Sequence, residues 1–283
     1  MLSRFAFFLA AAAAPLAGLA ADFRVQLDTV TEGYDGKWCW AQARAGIVPR
    51  PGLPPSVVIT MNPLIITGSD VYLPINEMRS DDLGRTWQGP LEHRDTLGRR
   101  PLGDGLEVGV CDFWPKWHAK SGKLLGTGHA VYYRGDRRPE AGMKAQLPYS
   151  IYDPATRTWS PWIALDVPAG SPLENGVGAG CTQRYDLPDG DILLPVTFRP
   201  KGGKFTHAKV IRCGFDGKTL TVKAEGNGLT IETKRGVAEP SLARFGGRYF
   251  LTIRHDDGAW VTTSDDGLNF APIKPWLWDD GSP

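Results

Sequence analysis

Ser80-Asp-Asp-Leu-Gly-Arg-Thr-Trp87 has the composition of a turn that holds itself shut. An Asp side chain accepts from backbone N–H groups a few residues on, a Gly tolerates the left-handed conformation, and a closing aromatic covers the loop. Strand-like Val71-Tyr-Leu-Pro-Ile-Asn-Glu-Met-Arg79 precedes the segment and Gly89-Pro90 breaks the chain after it, so it reads as a hairpin. The same order returns in Ser264-Asp-Asp-Gly-Leu-Asn-Phe270, one residue shorter, and in reduced form in Tyr152-Asp-Pro-Ala-Thr-Arg-Thr-Trp159 and Phe215-Asp-Gly-Lys-Thr-Leu220.

The final residues of these copies, Trp87, Trp159, Leu220 and Phe270, stand 72, 61 and 50 residues apart. Each interval has room for four short strands and their loops, which is the spacing of propeller blades. Upstream of every copy a turn leads into an apolar strand: Pro55–Thr60, Ser121–Gly126, Pro188–Leu194 and Gly246–Ile253. Recurrence of the whole order predicts an all-β fold, a β-propeller with about four recognisable blades. Trp87 and Phe270 are expected to pack beneath their own hairpins.

Composition agrees. The chain has 283 residues, 42% of them hydrophobic, with 34 Gly and 23 Pro, enough apolar content for a sizeable core and too many turn formers for a helical bundle. Its 32 Lys and Arg against 31 Asp and Glu leave no cationic excess for a phosphate backbone, so nucleic acid is excluded as an expected partner. Arg4 followed by the uncharged run Phe5 to Ala21, ending on small residues, predicts a cleaved secretory signal over residues 1–20 and a secreted or periplasmic product with no stable membrane span. The folded domain is then residues 21–283. Cys39, Cys111, Cys181 and Cys213 lack the close pairs of a zinc site, and the sequence leaves disulfides and buried free thiols both open.

Ser80 to Trp87 resembles the Asp-box, S-x-D-x-G-x-T-W, of the sialidase (neuraminidase) superfamily, and the other three copies resemble worn versions of it. The resemblance covers about residues 38 to 273 and implies a six-bladed propeller, of which this chain would hold an incomplete part; a small closed propeller of four to five blades is the competing architecture. It further implies an exported glycoside hydrolase that removes a terminal acidic sugar from glycans with retention, without a metal or organic cofactor. In the family three arginines grip the substrate carboxylate, a geometry suited to the planar guanidinium fork. Arg44, in Gln42-Ala-Arg-Ala-Gly-Ile-Val-Pro49, and Arg254, closing Tyr249-Phe-Leu-Thr-Ile-Arg254, match two of them. Arg44 stands in a stretched version of the family's R-I-P. Asp70, in the Gly68-Ser-Asp70 turn, resembles the loop aspartate that acts as acid/base, and Glu239, in Ala238-Glu-Pro-Ser-Leu242, resembles the glutamate that activates a nucleophilic tyrosine. That tyrosine and the third arginine match no residue of this chain.

Two other functions remain open at this point. A propeller lyase or an exo-glycosidase of different specificity could use His118 or His129 with Tyr132 or Tyr133, and a glycan-binding propeller needs no catalytic residue. Gly176-Val-Gly-Ala-Gly180 lacks the spacing of a nucleotide loop and reads as an inter-blade connection. The Asp-Asp-Gly triplets lack the ligand spacing of a calcium loop and read as turns.

Overall fold

The computed structural model describes residue 25 and residues 27–139 and 143–282; the stretch read as a secretory signal lies outside them. Four antiparallel sheets follow one another along the chain. Blade 1 comprises Trp38–Arg50, Leu53–Ile65, Asn76–Ser80 and Gln88–Glu92. Blade 2 is built on Leu106–His118, Lys123–Arg134 and Pro148–Asp153, with Thr158–Trp159 and Ile163–Ala164 on one edge and Arg100–Gly103 on the other. In blade 3 the innermost strand is broken into Val177–Gly178 and Tyr185–Asp186, both paired with Ile192–Phe198, and His207–Phe215 and Leu220–Glu225 complete the sheet. Blade 4 comprises Val237–Phe245, Arg248–His255, Gly258–Ser264 and Lys274–Pro275. This is the all-β propeller arrangement that the repeat predicts.

All four repeated turn segments occupy one topological position, the connection from the third to the fourth strand of a blade. Their physics is local. In blade 1 the Asp82 carboxylate accepts the Thr86 N–H at 2.9 Å and the Thr86 hydroxyl at 2.7 Å, while Ser80 Oγ accepts the Gly84 N–H at 2.7 Å. In blade 4 Asp266 accepts the N–H groups of Leu268 and Asn269, each at 2.8 Å. Phe270 is buried as expected, and so are its counterparts Trp159 and Leu220. Trp87 also lies on its own turn, its indole N–H bonded to Gly84 O at 3.1 Å, but it is only partly buried because the ring does not reach the packing between blades.

These bonds hold the Asp82 carboxyl down at about 2, the Thr86 hydroxyl contributing most. A depressed carboxylate stabilises the fold above its unfolded pKa of about 4 and loses that contribution as pH falls through the folded value. Thermal melts from pH 4 to pH 2 should therefore fall less steeply for Asp82→Asn than for the native chain. Parallel curves would show that the carboxylate does not hold the turn.

The core lies between blades. Along Ile192–Phe198 alternate side chains point to opposite faces: Ile192, Leu194, Val196 and Phe198 join the cluster facing blade 2, and Leu193 joins the one facing blade 4. Both faces are buried, which is why this strand reads as a continuous apolar run. Trp159, Phe113, Val58 and Ile75 belong to the cluster joining blades 1 and 2. All four cysteines are free thiols, Cys111 and Cys213 buried. Among the described residues no helix is long and apolar enough to cross a membrane.

Candidate active site at the centre of the blades

The site is made by one irregularity that recurs in the inner strands. In blade 1 the pairing passes from Ala41↔Asn62 to Arg44↔Thr60, in blade 2 from Cys111↔His129 to Trp114↔Thr127, and in blade 4 from Ala238↔Arg254 to Ser241↔Thr252. Each step inserts one extra residue on the inner strand, a β-bulge that re-aims a side chain. The residue in the bulge has a left-handed backbone every time: Gln42 (φ 57°), Asp112 (φ 51°) and Glu239 (φ 48°). In blade 3 the strand opens further, and Cys181 (φ 56°) takes the corresponding place. None is glycine, and such strain in non-glycine residues concentrates at functional sites.

Around these bulges lies a polar cleft of about 410 Å³ to which all four blades contribute. Three of the four residues singled out from sequence line it, namely Asp70 from blade 1 and Glu239 and Arg254 from blade 4. Glu239 and Arg254 are joined at 2.5 Å. Asp70, itself left-handed at φ 62°, bonds Arg138 at 2.8 Å. Its backbone carbonyl accepts the Tyr133 hydroxyl at 3.0 Å, and the Tyr72 hydroxyl lies 3.4 Å from its carboxylate. Two buried tyrosines thus fix the turn while the carboxylate faces the cleft.

Arg44 is not among the lining residues. It follows the blade 1 bulge, with its guanidinium 5.3 Å from the Trp114 ring centre and one nitrogen 3.7 Å from Cys181 Sγ. Cys181 in turn donates to Asp112 Oδ1 at 2.9 Å. Arg44 therefore reaches the cleft floor through one intervening pair of side chains.

Asp112 is a floor residue that sequence reading missed. Burial pushes its carboxyl up, and the charges of Glu239 and Asp70 push the same way, against the Cys181 hydrogen bond and Arg44. Burial, with the Asp112 charge beside it, drives the Cys181 thiol up to about 12, so Cys181 acts as a neutral donor and not as a nucleophile. The backbone N–H of Asp112 is held by Gln42 Oε1 at 2.6 Å, and Gln42 Nε2 bonds the Tyr72 hydroxyl at 2.7 Å. One polar network thus links the bulges of blades 1, 2 and 3 to the Asp70 turn. Arg199 and Arg235 also line the cleft. No motif marks these residues, because a bulge is a register event and leaves no composition of its own.

Neither tyrosine of the lyase reading lines the cleft. The Tyr132 hydroxyl is bonded to Lys144 O at 2.9 Å and that of Tyr133 to Asp70 O. His118 is a buried packing residue held by Ser121 and Gly190, whereas His129 does line the cleft. Among the described residues no tyrosine lines the cleft, and no group of three or more His, Cys, Asp or Glu is placed to hold a metal ion.

No known protein-family profile matches the chain, and no curated protein matches it by sequence. Solved structures do. A Hadza microbial sialidase superposes with a TM-score of 0.60 at 19% identity, over 84% of this chain and 46% of its own. The Trypanosoma rangeli sialidase bound to the inhibitor DANA gives 0.55 at 19%, over 81% and 37%. NanB, solved with Optactamide, gives 0.59 at 10%, over 89% and 54%. The chain thus spans about half or less of the length of these proteins. Its four consecutive blades, with their shared third-to-fourth hairpin, form part of a β-propeller of the sialidase type.

Proposed function

We propose that the chain carries the acidic-sugar site of an exported sialidase-like glycoside hydrolase working with retention. The single observation behind this reading is the convergence of Asp70, Glu239 and Arg254, which lie up to 184 residues apart in sequence, on one cleft. Asp70, on an exposed turn, serves as acid/base and protonates the leaving glycosidic oxygen. Arg254 grips the substrate carboxylate, with Arg44 supporting the cleft floor from behind Cys181 and Asp112. A carboxylate nucleophile would be repelled by the substrate's own charge, whereas a tyrosine can attack while nearly neutral. Glu239, beside Arg254 at 2.5 Å, is the base for that tyrosine. No cofactor is required. Export rests on the reading of residues 1–20 as a secretory signal.

With no tyrosine along the described cleft, these 283 residues should bind acidic sugars weakly and cleave them negligibly. A longer chain that adds the nucleophile should cleave an aryl glycoside of sialic acid. In it, Asp70→Asn should lower turnover by about 10²- to 10⁴-fold, the usual contribution of a general acid, with sugar affinity little changed. Titration with a sialic-acid analogue and with neutral monosaccharides tests the binding half. Saturation only by neutral sugars would sink the acidic-sugar reading, and robust cleavage by the 283-residue chain would show that a nucleophile is already present.

A further inference from the structure

The stretch Gly176-Val-Gly-Ala-Gly180 has a packing role that its sequence does not announce. A β-carbon on Gly178 would stand 2.2 Å from His129 Nδ1, and one on Gly180 would stand 3.0 Å from Asp112 Oδ2 and 3.1 Å from His129 Cβ. A real β-carbon essentially never approaches another atom more closely than about 3 Å, so Gly178 leaves a space that only glycine provides for His129, and Gly180 packs tightly against Asp112 and His129. The blade 2 strand holds His129 from the other side, paired with Cys111 immediately before the Asp112 bulge.

His129 also marks a boundary. Beyond it the cleft continues into a second compartment of about 270 Å³, bordered by Met143, Asn175 and Phe198. The two compartments share His129, Thr197, Arg199 and Thr206. Burial lowers the His129 pKa to about 4, with the charge of Arg138 acting in the same direction and that of Asp70 opposing it. At neutral pH the ring is therefore an uncharged imidazole, with one donor and one acceptor nitrogen. Neither nitrogen has a hydrogen-bond partner among the described residues. The ring is partly buried and stands in the wall shared by both compartments, set amid arginines that already supply positive charge.

We infer that His129 is a substrate-contacting specificity residue, which hydrogen-bonds an uncharged polar substituent of the sugar, a hydroxyl or an amide, at the passage between the compartments, and that Gly178 is glycine in order to seat it. This rests on the reading of the cleft as a sugar site. It assigns the arginines to the anionic group and His129 to a neutral one.

The test combines a mutant cycle with a spectroscopic probe on the full chain. His129→Ala should weaken binding of a sialic-acid analogue about tenfold, the cost of leaving one hydrogen bond unmade, and His129→Gln should restore most of it. Gly178→Ala should cost a similar factor by displacing the ring, yet add nothing in the His129→Ala background. Because the glycine variant could also misfold, native chain labelled with ¹⁵N-histidine is titrated in parallel with acidic and neutral monosaccharides. Binding should shift the His129 ring nitrogens and favour one tautomer. If the acidic sugar binds and Arg254→Lys weakens it, while the His129 signals stay still, the His129 inference is overturned and the acidic-sugar reading stands. If only neutral sugars bind and they shift His129, the acidic-sugar reading fails and this inference survives. Additive losses for Gly178→Ala and His129→Ala would overturn the seating role of Gly178, and binding of no sugar at all would overturn both.

Discussion

Trp159→Ala should destabilise the chain by about 3 to 5 kcal/mol from the cavity alone, the largest stability loss expected of any single truncation in this protein. Trp159 ends the third-to-fourth connection of blade 2, yet it serves the neighbouring blade. Its ring is 3% exposed and sits edge-on to Phe113 at 5.4 Å and tilted against Tyr152 at 5.2 Å. Its indole N–H donates at 2.8 Å to Glu77 Oε2 of blade 1. Glu77 is itself buried, with Arg79 3.7 Å from its other oxygen. Truncation thus empties the joint between two blades and takes a donor from a buried carboxylate, which adds about 1 to 3 kcal/mol. Trp159→Phe keeps most of the apolar area and should show mainly this second cost. Half-exposed Trp87, by contrast, should lose about 1 kcal/mol on truncation, in keeping with the area it buries. Urea unfolding at constant m-value measures all three. A loss under about 1 kcal/mol for Trp159→Ala would show that the blade joint is not packed as described.

Arg254→Lys should reduce affinity for an acidic sugar by about 10- to 100-fold, since an ammonium cannot make the two-pronged contact of a guanidinium. The geometry makes the substitution more severe than a change of head group. Ala238 and Arg254 pair across the strands of blade 4, which brings Arg254 beside Glu239 at 2.5 Å. A guanidinium can keep that bond on one nitrogen and still offer a parallel pair of N–H groups to a substrate carboxylate. A lysine there must choose between the two. Stability should hardly change, because both side chains are substantially exposed, 53% and 37%, and exposed ion pairs contribute little. Calorimetric titration with the acidic sugar, with neutral sugars as controls, reads the effect directly. Unchanged affinity would remove Arg254 from the carboxylate clamp.

Asp70, Glu239 and Arg254 were singled out by their resemblance to the sialidase pattern, each in a short stretch that matches it locally, and the structure brings all three to one cleft. Arg44 was legible as to its strand but not its reach, since its path to the cleft floor runs through Cys181 and Asp112 from two other blades. Asp112, His129 and the Gly176–Gly180 stretch carried no such match. Asp112 follows a Cys in the middle of an ordinary-looking strand, and the glycines resembled a loop because their purpose is to leave space for a side chain nearly 50 residues upstream.

What the sequence by itself determined is the set of elements whose bonds close within a few residues. The hairpins bind themselves, Asp82 to Thr86 and Asp266 to Leu268 and Asn269, and upstream of each a turn leads into an apolar strand that can be read without its partners. Those two signals, repeated four times, were enough for an all-β propeller. The tertiary structure alone decided the site. Gln42, Asp112, Cys181 and Glu239 come together only because three inner strands each take up one extra residue and the fourth breaks. Where a strand slips is set by how its two faces pack against neighbouring blades, so it is a property of several segments at once and is written in none of them.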